Sequence, residues 1–334
     1  MYTIEDISKM TGVSISIISR YLNGKNVRKE NKKLIDEAVK KTGYTANEFA
    51  RNLRLKQTKC VGAIVPSLDD GFALSVMHYV EKELKKNGYT LFLSDCLRDE
   101  SEEISCVKMM LQKRVDALIV LPIGNMKEIS ELTTAANVPL IVFDQYFSNI
   151  SADYVLFENK EGARKACDVL LDNGHRDIAI ILGPLGDYTP RQRFKGVKKS
   201  FEDRGIPLKE EFVCEAKDYS LASGYDFTMK ALSEKNRPTA IFSTNFDMTL
   251  GVIKAINELN LTIPDDVSLM AFDFLPIYEA IKPKLWTVTQ SIEKIGEKVA
   301  ERVMTRMRDT DESPNTTFFI SYELIEGKSV KKIN

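Results

Sequence analysis

Over the first 45 residues, apolar side chains recur three or four positions apart. Ile4, Ile7 and Met10 share one face of a helix over residues 3–10. Val13, Ile17, Ile18 and Leu22 mark the buried side of a second helix over 14–22, and Leu34, Ile35, Ala38 and Val39 turn inward on a third from about Arg28 to Lys41. Thr3 and Asp6 have the spacing of a capping box, Ser14 carries a hydroxyl suited to an N-cap, and Gly43 stands where the third helix should stop. Thr11-Gly12 forms the turn between the first two helices, with glycine free to take a positive φ. Three short helices in so few residues form a small helix-turn-helix head. The second helix is short, weakly amphipathic and stopped by Asn23-Gly24, so it is shaped to lie in a groove and not to fill a core.

Residues 46–59 form a linker. Asn47 can cap a helix of under three turns, with Leu53 as an apolar tip. A helix that short is marginal in water and orders only against a partner.

From Cys60 the pattern changes to short apolar runs alternating with helices. Strands are predicted at Val61–Pro66, Tyr89–Ser94, Ala117–Pro122 and Pro139–Asp144, with helices over about 72–87 and on to Lys113. The rhythm restarts near Tyr154, with a helix over about 161–173 and strands at Ile178–Gly183, Ala240–Ser243 and Ser268–Asp273; a helix near 292–308 and two strands close the chain. The expected fold is therefore a small all-α head and linker helix followed by a two-lobe α/β core of two doubly wound parallel sheets. The expected borders are 1–45 for the head, 46–59 for the linker and 60–334 for the core. Lobe 1 covers about 60–155 plus 288–317, and lobe 2 about 156–287 plus 318–334. Ligands of such sheets bind outside the carboxyl ends of the strands, so two facing lobes make a cleft.

Charge sharpens this division. The net charge of the 334-residue chain is −1, yet residues 1–59 hold 13 basic and 6 acidic residues, a net of +7, and the remainder holds 34 basic and 42 acidic, a net of −8. A basic head on an acidic body points to a polyanion as the partner of the head. No apolar run is long enough to span a membrane, and Met1–Asp6 does not open a secretory signal, so a cytoplasmic protein is expected. Five scattered cysteines and two histidines argue against a disulfide framework or a zinc site. There is no glycine-rich phosphate loop, metal-spaced cluster or Gly-x-Ser-x-Gly elbow, so no enzyme activity, cofactor or metal is expected. The last strand is followed by no leucine heptad tail, which favours a dimer over a tetramer.

Several motifs carry a resemblance. Thr3-Ile4-Glu5-Asp6-Ile7, Gly12-Val13-Ser14, Ser19 to Gly24, Thr42-Gly43-Tyr44 and Ala50-Arg51-Asn52-Leu53 resemble the lactose-repressor (LacI/GalR) family of bacterial transcription regulators. Core tags continue it: Val61 to Pro66, Asn173-Gly174-His175-Arg176, Arg191 to Gly196, Ser243-Thr244-Asn245, Ile263 to Ser268, Ala271-Phe272-Asp273 and Thr287 to Gln290. The resemblance implies a homodimer on a near-palindromic double-stranded operator, with a periplasmic-binding-protein-like core. The implied DNA contacts are Thr3, Ser14, Ile15, Ser16, Ser19, Arg20, Asn23, Asn47, Ala50 and Leu53. Arg20 has the fork geometry to read guanine, Ser19 and Asn23 suit phosphate contacts, and Ile15 and Ser16 stand where the family discriminates between operators. Leu53 would be a wedge in the minor groove. Ile17, Arg28 and Ala46 replace the family's usual Thr, Ser and Pro.

In the cleft, the resemblance implies effector contacts from Phe72, Asp144, Arg193, Tyr219, Asn245 and Asp273. A carboxylate, an amide and an arginine between aromatic rings suit a sugar, sugar acid or sugar phosphate. Phe246 and Phe274 replace acidic residues common in the family. His175 is read as structural, and Arg191 as a substitute or support for Arg193. The implied function is repression of a carbohydrate operon through lobe rotation. The alternatives are a regulator controlled by a partner protein and a sugar-binding protein without DNA function.

Overall fold

The computed structural model describes residues 2–22, 25–44, 57–124, 126–273, 276–308 and 314–333. It divides into two compact units, Met1–Thr58 and Lys59–Asn334. Residues 45–56, where Asn47, Ala50 and Leu53 of the expected linker helix fall, lie outside the described residues, as do Asn23 and Phe274.

The head has three helices, α1 (Ile4–Thr11), α2 (Ile15–Leu22) and α3 (Lys29–Thr42). Thr3 and Asp6 close the expected capping box: Thr3 N donates to Asp6 Oδ2 at 2.9 Å, and Asp6 N donates to Thr3 Oγ1 at 3.2 Å. Gly12 takes φ +67° between α1 and α2, where a side chain would be strained. Ile7, Val13, Ile18, Ile35 and Ala38 form the head's core, flanked by Ile17, Leu22 and Val39. Leu34 corrects the sequence reading, for it is 44% exposed. The buried stripe of α3 follows the spacing of Ile35, Ala38 and Val39, and Leu34 stands one position off it. Ser14 opens α2 through its carbonyl, which accepts from Ile17 N and Ile18 N, while its hydroxyl lies 3.2 Å from that of Ser16.

The core begins with β1 (Cys60–Val65), α4 (Gly71–Lys86), β2 (Thr90–Asp95), α5 (Glu100–Gln112), β3 (Ala117–Val120), α6 (Met126–Ala135), β4 (Leu140–Phe143) and β5 (Asp153–Phe157). It continues with α7 (Asn159–Asp172), β6 (Ile178–Leu182), α8 (Tyr188–Asp203), β7 (Val213–Glu215), α9 (Leu221–Ser233), β8 (Ala240–Ser243), α10 (Phe246–Glu258), β9 (Ser268–Phe272) and β10 (Trp286–Gln290). Helix α11 (Ile292–Arg306), β11 (Thr317–Ile320) and β12 (Tyr322–Ile325) complete it.

The strand orders are β2-β1-β3-β4-β5-β11 and β7-β6-β8-β9-β10-β12. The two sheets therefore repeat one winding pattern, parallel throughout except for the antiparallel β10–β12 pair. Alternate residues of each central strand serve opposite faces. Val61, Ala63 and Val65 pack with Val76 and Val80 of α4 and Val299 of α11, whereas Ile64 packs with Val107 of α5 and Ile129 of α6. The second sheet is covered likewise by α7 and α8 on one face and by α9 and α10 on the other.

Among the described residues the chain passes between sheets at 158, 291 and 321. The borders expected at 155, 287 and 317 instead cut through β5, β10 and β11. A strand stays with one sheet along its whole length because its ladder holds every residue of it. At the start of β5, Asp153 accepts from Arg302 Nε at 3.0 Å and from Arg306 Nε and Nη2 at 2.9 and 2.8 Å, which ties α11 to the first sheet.

Candidate functional site

The equivalence of the two sheets explains the first features of the cleft. β4 and β9 occupy the same place in the winding, and each is followed at once by an aspartate in the left-handed region, Asp144 at φ +64° and Asp273 at φ +66°. This conformation is uncommon outside glycine, and Asp tolerates it better than most. Helices α4 and α8 are equivalent too, and their N-caps are Asp70 and Asp187.

Arg193, on the second turn of α8, is buried against these strand ends. Its Nε donates to Asn159 Oδ1 at 2.8 Å, its Nη1 to Thr244 O and to Asp273 Oδ2 at 3.2 Å, and its Nη2 to Asp273 Oδ1 at 3.4 Å. The guanidinium carbon lies 3.8 Å from the centroid of the Phe272 ring. Among the described residues, one of its five N–H groups is left over. Gln290 Nε2 donates to Asp273 Oδ1 at 2.8 Å. Asn159 and Gln290 flank two of the crossings between lobes, so the ion pair is bonded directly to the segments about which the lobes would turn.

Asp144 belongs to the same constellation. Its carboxyl is pushed up to about 6 by burial, with Asp273 and Asp70 acting in the same direction and Arg193 opposing. Thr189 Oγ1, on the second lobe, donates to Asp144 O at 2.7 Å, and Tyr188 N donates to Gln145 Oε1 at 3.1 Å. Tyr219 presents a fixed wall. Its hydroxyl donates to Asp187 Oδ2 at 2.5 Å, and its ring lies so close over Gly183 that a Cβ there would come within 2.3 Å of it. Burial raises the Tyr219 phenol above its ordinary range, and the facing Asp187 adds to this.

Other expected residues take different places. Asn245 spends its Oδ1 as the N-cap of α10, accepting from Met248 N at 3.2 Å, which leaves its amide –NH2 for another partner. Phe72 is half-buried and packs against the first lobe's core. Phe246 stacks on Tyr278, with ring centroids 5.2 Å apart. Arg191 Nη1 donates to Gly186 O at 2.8 Å and braces the loop before α8. His175 is buried between Thr239 Oγ1 at 2.9 Å and Lys331 O at 3.1 Å, in a structural position.

In the head unit, Ser14 just before α2 and Ile15, Ser16 and Arg20 on it are exposed, with Ser19 half-buried. Ile15 is 39% exposed, an apolar β-branched residue turned to solvent on an eight-residue helix. Among the described residues the Arg20 guanidinium makes one long contact, 3.5 Å to Asn26 O. The Thr3 hydroxyl is already engaged in its capping box.

Comparison with known proteins decides the family. Residues 3–47 match the model of bacterial regulatory proteins of the lacI family, and 167–330 match a periplasmic binding protein-like domain. An HTH-type transcriptional repressor PurR of Mannheimia succiniciproducens is 31% identical over 336 residues, covering 100% of both chains. The chain belongs to the LacI family. It is a DNA-binding transcriptional repressor and not an enzyme, as its relatives are. The lac repressor dimer bound to operator and the anti-inducer ONPF superposes with a TM-score of 0.87 at 23% identity, over 99% of both chains. A LacI family regulator from Enterococcus faecium with bound ribose gives a TM-score of 0.74 at 23% identity, over 82% of this chain and 100% of the other.

In this LacI-family core, sequence reasoning missed Asn159, Thr189 and Gln145, and it passed over Gln290 except as part of a family tag. Their one visible signal was position, for each is polar and stands at the edge of an apolar strand or helix. Among the described residues, no helix is long and apolar enough to cross a membrane.

Proposed function

We propose that this LacI-family repressor acts as a homodimer. Its α2 helices read a near-palindromic operator, and a small sugar-like effector in the inter-lobe cleft sets its affinity for DNA. The observation that carries the effector reading is the buried Arg193–Asp273 pair at the facing strand ends, bonded to both Asn159 and Gln290 at the crossings. An occupant that shifts this pair also shifts the segments on which the lobes turn. The resulting change in operator affinity is expected to be about 1–3 kcal/mol. The ribose in the E. faecium regulator supports an occupant of that size, and the lac repressor dimer on its operator supports the assembly.

On α2, Arg20 is the base reader, with Ile15 and Ser16 selecting the operator by apolar and tolerant polar contacts. Band shifts on the DNA upstream of the protein's own gene test this. Arg20→Ala should abolish the specific shift while the cleft still binds its effector. Loss of both activities, or of neither, would contradict the division of labour between head and core.

A further inference from the structure

We propose that the occupant of the cleft is an amine-bearing polyol, a compound with hydroxyls beside a cationic nitrogen, and that sugar acids and sugar phosphates are excluded. This rests on the cleft being the effector site.

The first argument is one of unfilled hydrogen bonds. Gln290 is 5% exposed, yet among the described residues its Oε1 has no partner, and Asp144 Oδ1 is buried without one as well. The orientation of Gln290 is forced, because its amide nitrogen faces the Asp273 carboxylate at 2.8 Å and a flipped amide would set oxygen against oxygen. Both orphan atoms are acceptors. A buried acceptor left empty is costly, so the molecule that fills this place must bring donors.

The second argument is charge. Asp144 of the first lobe feels the repulsion of Asp273 and Asp70, Asp247 of the second feels that of Asp70, Asp69 and Asp273, and Asp187 adds its charge beside Tyr219. Against them stand Arg193, already paired with Asp273, Arg98, which lies 3.7 Å from Asp69 and 3.8 Å from Asp70, and Arg191, whose Nη1 donates to Gly186 O at 2.8 Å. The acids outnumber the arginines, and the cation that an anionic ligand would need is consumed by the protein itself. The family resemblance took Arg193 as the grip for effector hydroxyls or a carboxylate. In the structure its guanidinium has, among the described residues, one N–H to spare and a bound carboxylate beside it. A phosphate or carboxylate entering here would meet Asp144 and Asp273, whereas an ammonium would bond the free oxygen of Asp144 with charge assistance.

The test is calorimetric titration of the full chain with three matched sets: glucosamine, glucose and glucose 6-phosphate; galactosamine, galactose and galactose 6-phosphate; and glucamine, sorbitol and sorbitol 6-phosphate. In at least one set the amine should bind about tenfold tighter than its neutral parent, and the phosphate weakest. Asp144→Asn, with its fold checked by circular dichroism, should bring amine and parent within about twofold, since an amide keeps the shape and loses the charge. Tighter binding of a neutral parent or phosphate, an amine preference unchanged in Asp144→Asn, or no binding by any amine overturns the proposal. Operator band shifts with the same compounds separate it from the effector reading. An amine that binds tightest but leaves operator affinity unchanged removes the effector role and keeps the ligand class. A phosphate that binds tightest and changes operator affinity does the reverse.

Discussion

Replacing Asp273 by Asn isolates the charge of the central ion pair. Asn keeps the shape of Asp and tolerates the left-handed backbone at φ +66°, so neither a cavity nor backbone strain confuses the result. What is lost is the anion facing a buried guanidinium. Removing one partner of a buried pair costs about 3–5 kcal/mol. The lower end, ~3 kcal/mol, is expected here because Arg193 keeps the neutral acceptors Asn159 Oδ1 and Thr244 O and the face of Phe272. Arg193→Met should also destabilise, by stranding the carboxylate. The double variant should cost less than the sum of the two, with a coupling energy of about 1–3 kcal/mol. Urea unfolding of the full chain reads this through Trp286, the chain's single tryptophan, on β10 of the same lobe. An Asp273→Asn variant within ~1 kcal/mol of the parent, or a strictly additive double variant, would refute a buried, mutually dependent pair.

Three further outcomes follow from the same geometry. Gly183→Ala should push the Tyr219 ring off its seat and weaken effector binding at least tenfold, measured by titration, while operator binding without effector is unchanged. Glu103 is fully buried, and burial pushes its carboxyl up to about 6 from an ordinary 4.5; a raised pKa in the folded state means that its stabilising contribution is complete below about 4.5 and is lost as pH rises through 6. Thermal unfolding should therefore show stability falling across that window, and Glu103→Gln should flatten the fall. Asn159→Ala should leave effector affinity within a few-fold yet shrink the change in operator affinity that effector produces, because it cuts the bond between Arg193 and the first crossing; Asn159→Gln is the control for a merely structural loss.

Much of the fold was legible because a parallel strand covered on both faces must be apolar throughout, and runs such as Ala117–Val120 and Leu140–Phe143 announce themselves. Asp144 and Asp273 came through the family resemblance, and both are acids placed directly after such runs. The placement of β10 was harder. Its residues look like any buried strand, and only pairing with β9 and β12 puts it in the second sheet and moves the crossing to 291. Leu34 was misread because a leucine beside a helical stripe resembles part of it. Arg193 was identified through resemblance, but the sequence does not show that Asn159, Thr244 and Asp273 use up its donors, since those partners lie 34, 51 and 80 positions away. Charge balance in the cleft is likewise a property of packing and not of composition.

The most direct test of the central claim is the salt dependence of binding by the full chain to the DNA upstream of its gene, with and without effector. A dimer that docks two basic heads on one operator neutralises many phosphates. Its affinity should therefore fall by about 10³–10⁵ between roughly 50 and 200 mM salt, and effector should displace the whole line without changing its specificity for that sequence. A nearly flat salt dependence, or binding no tighter than to unrelated DNA, would contradict the account.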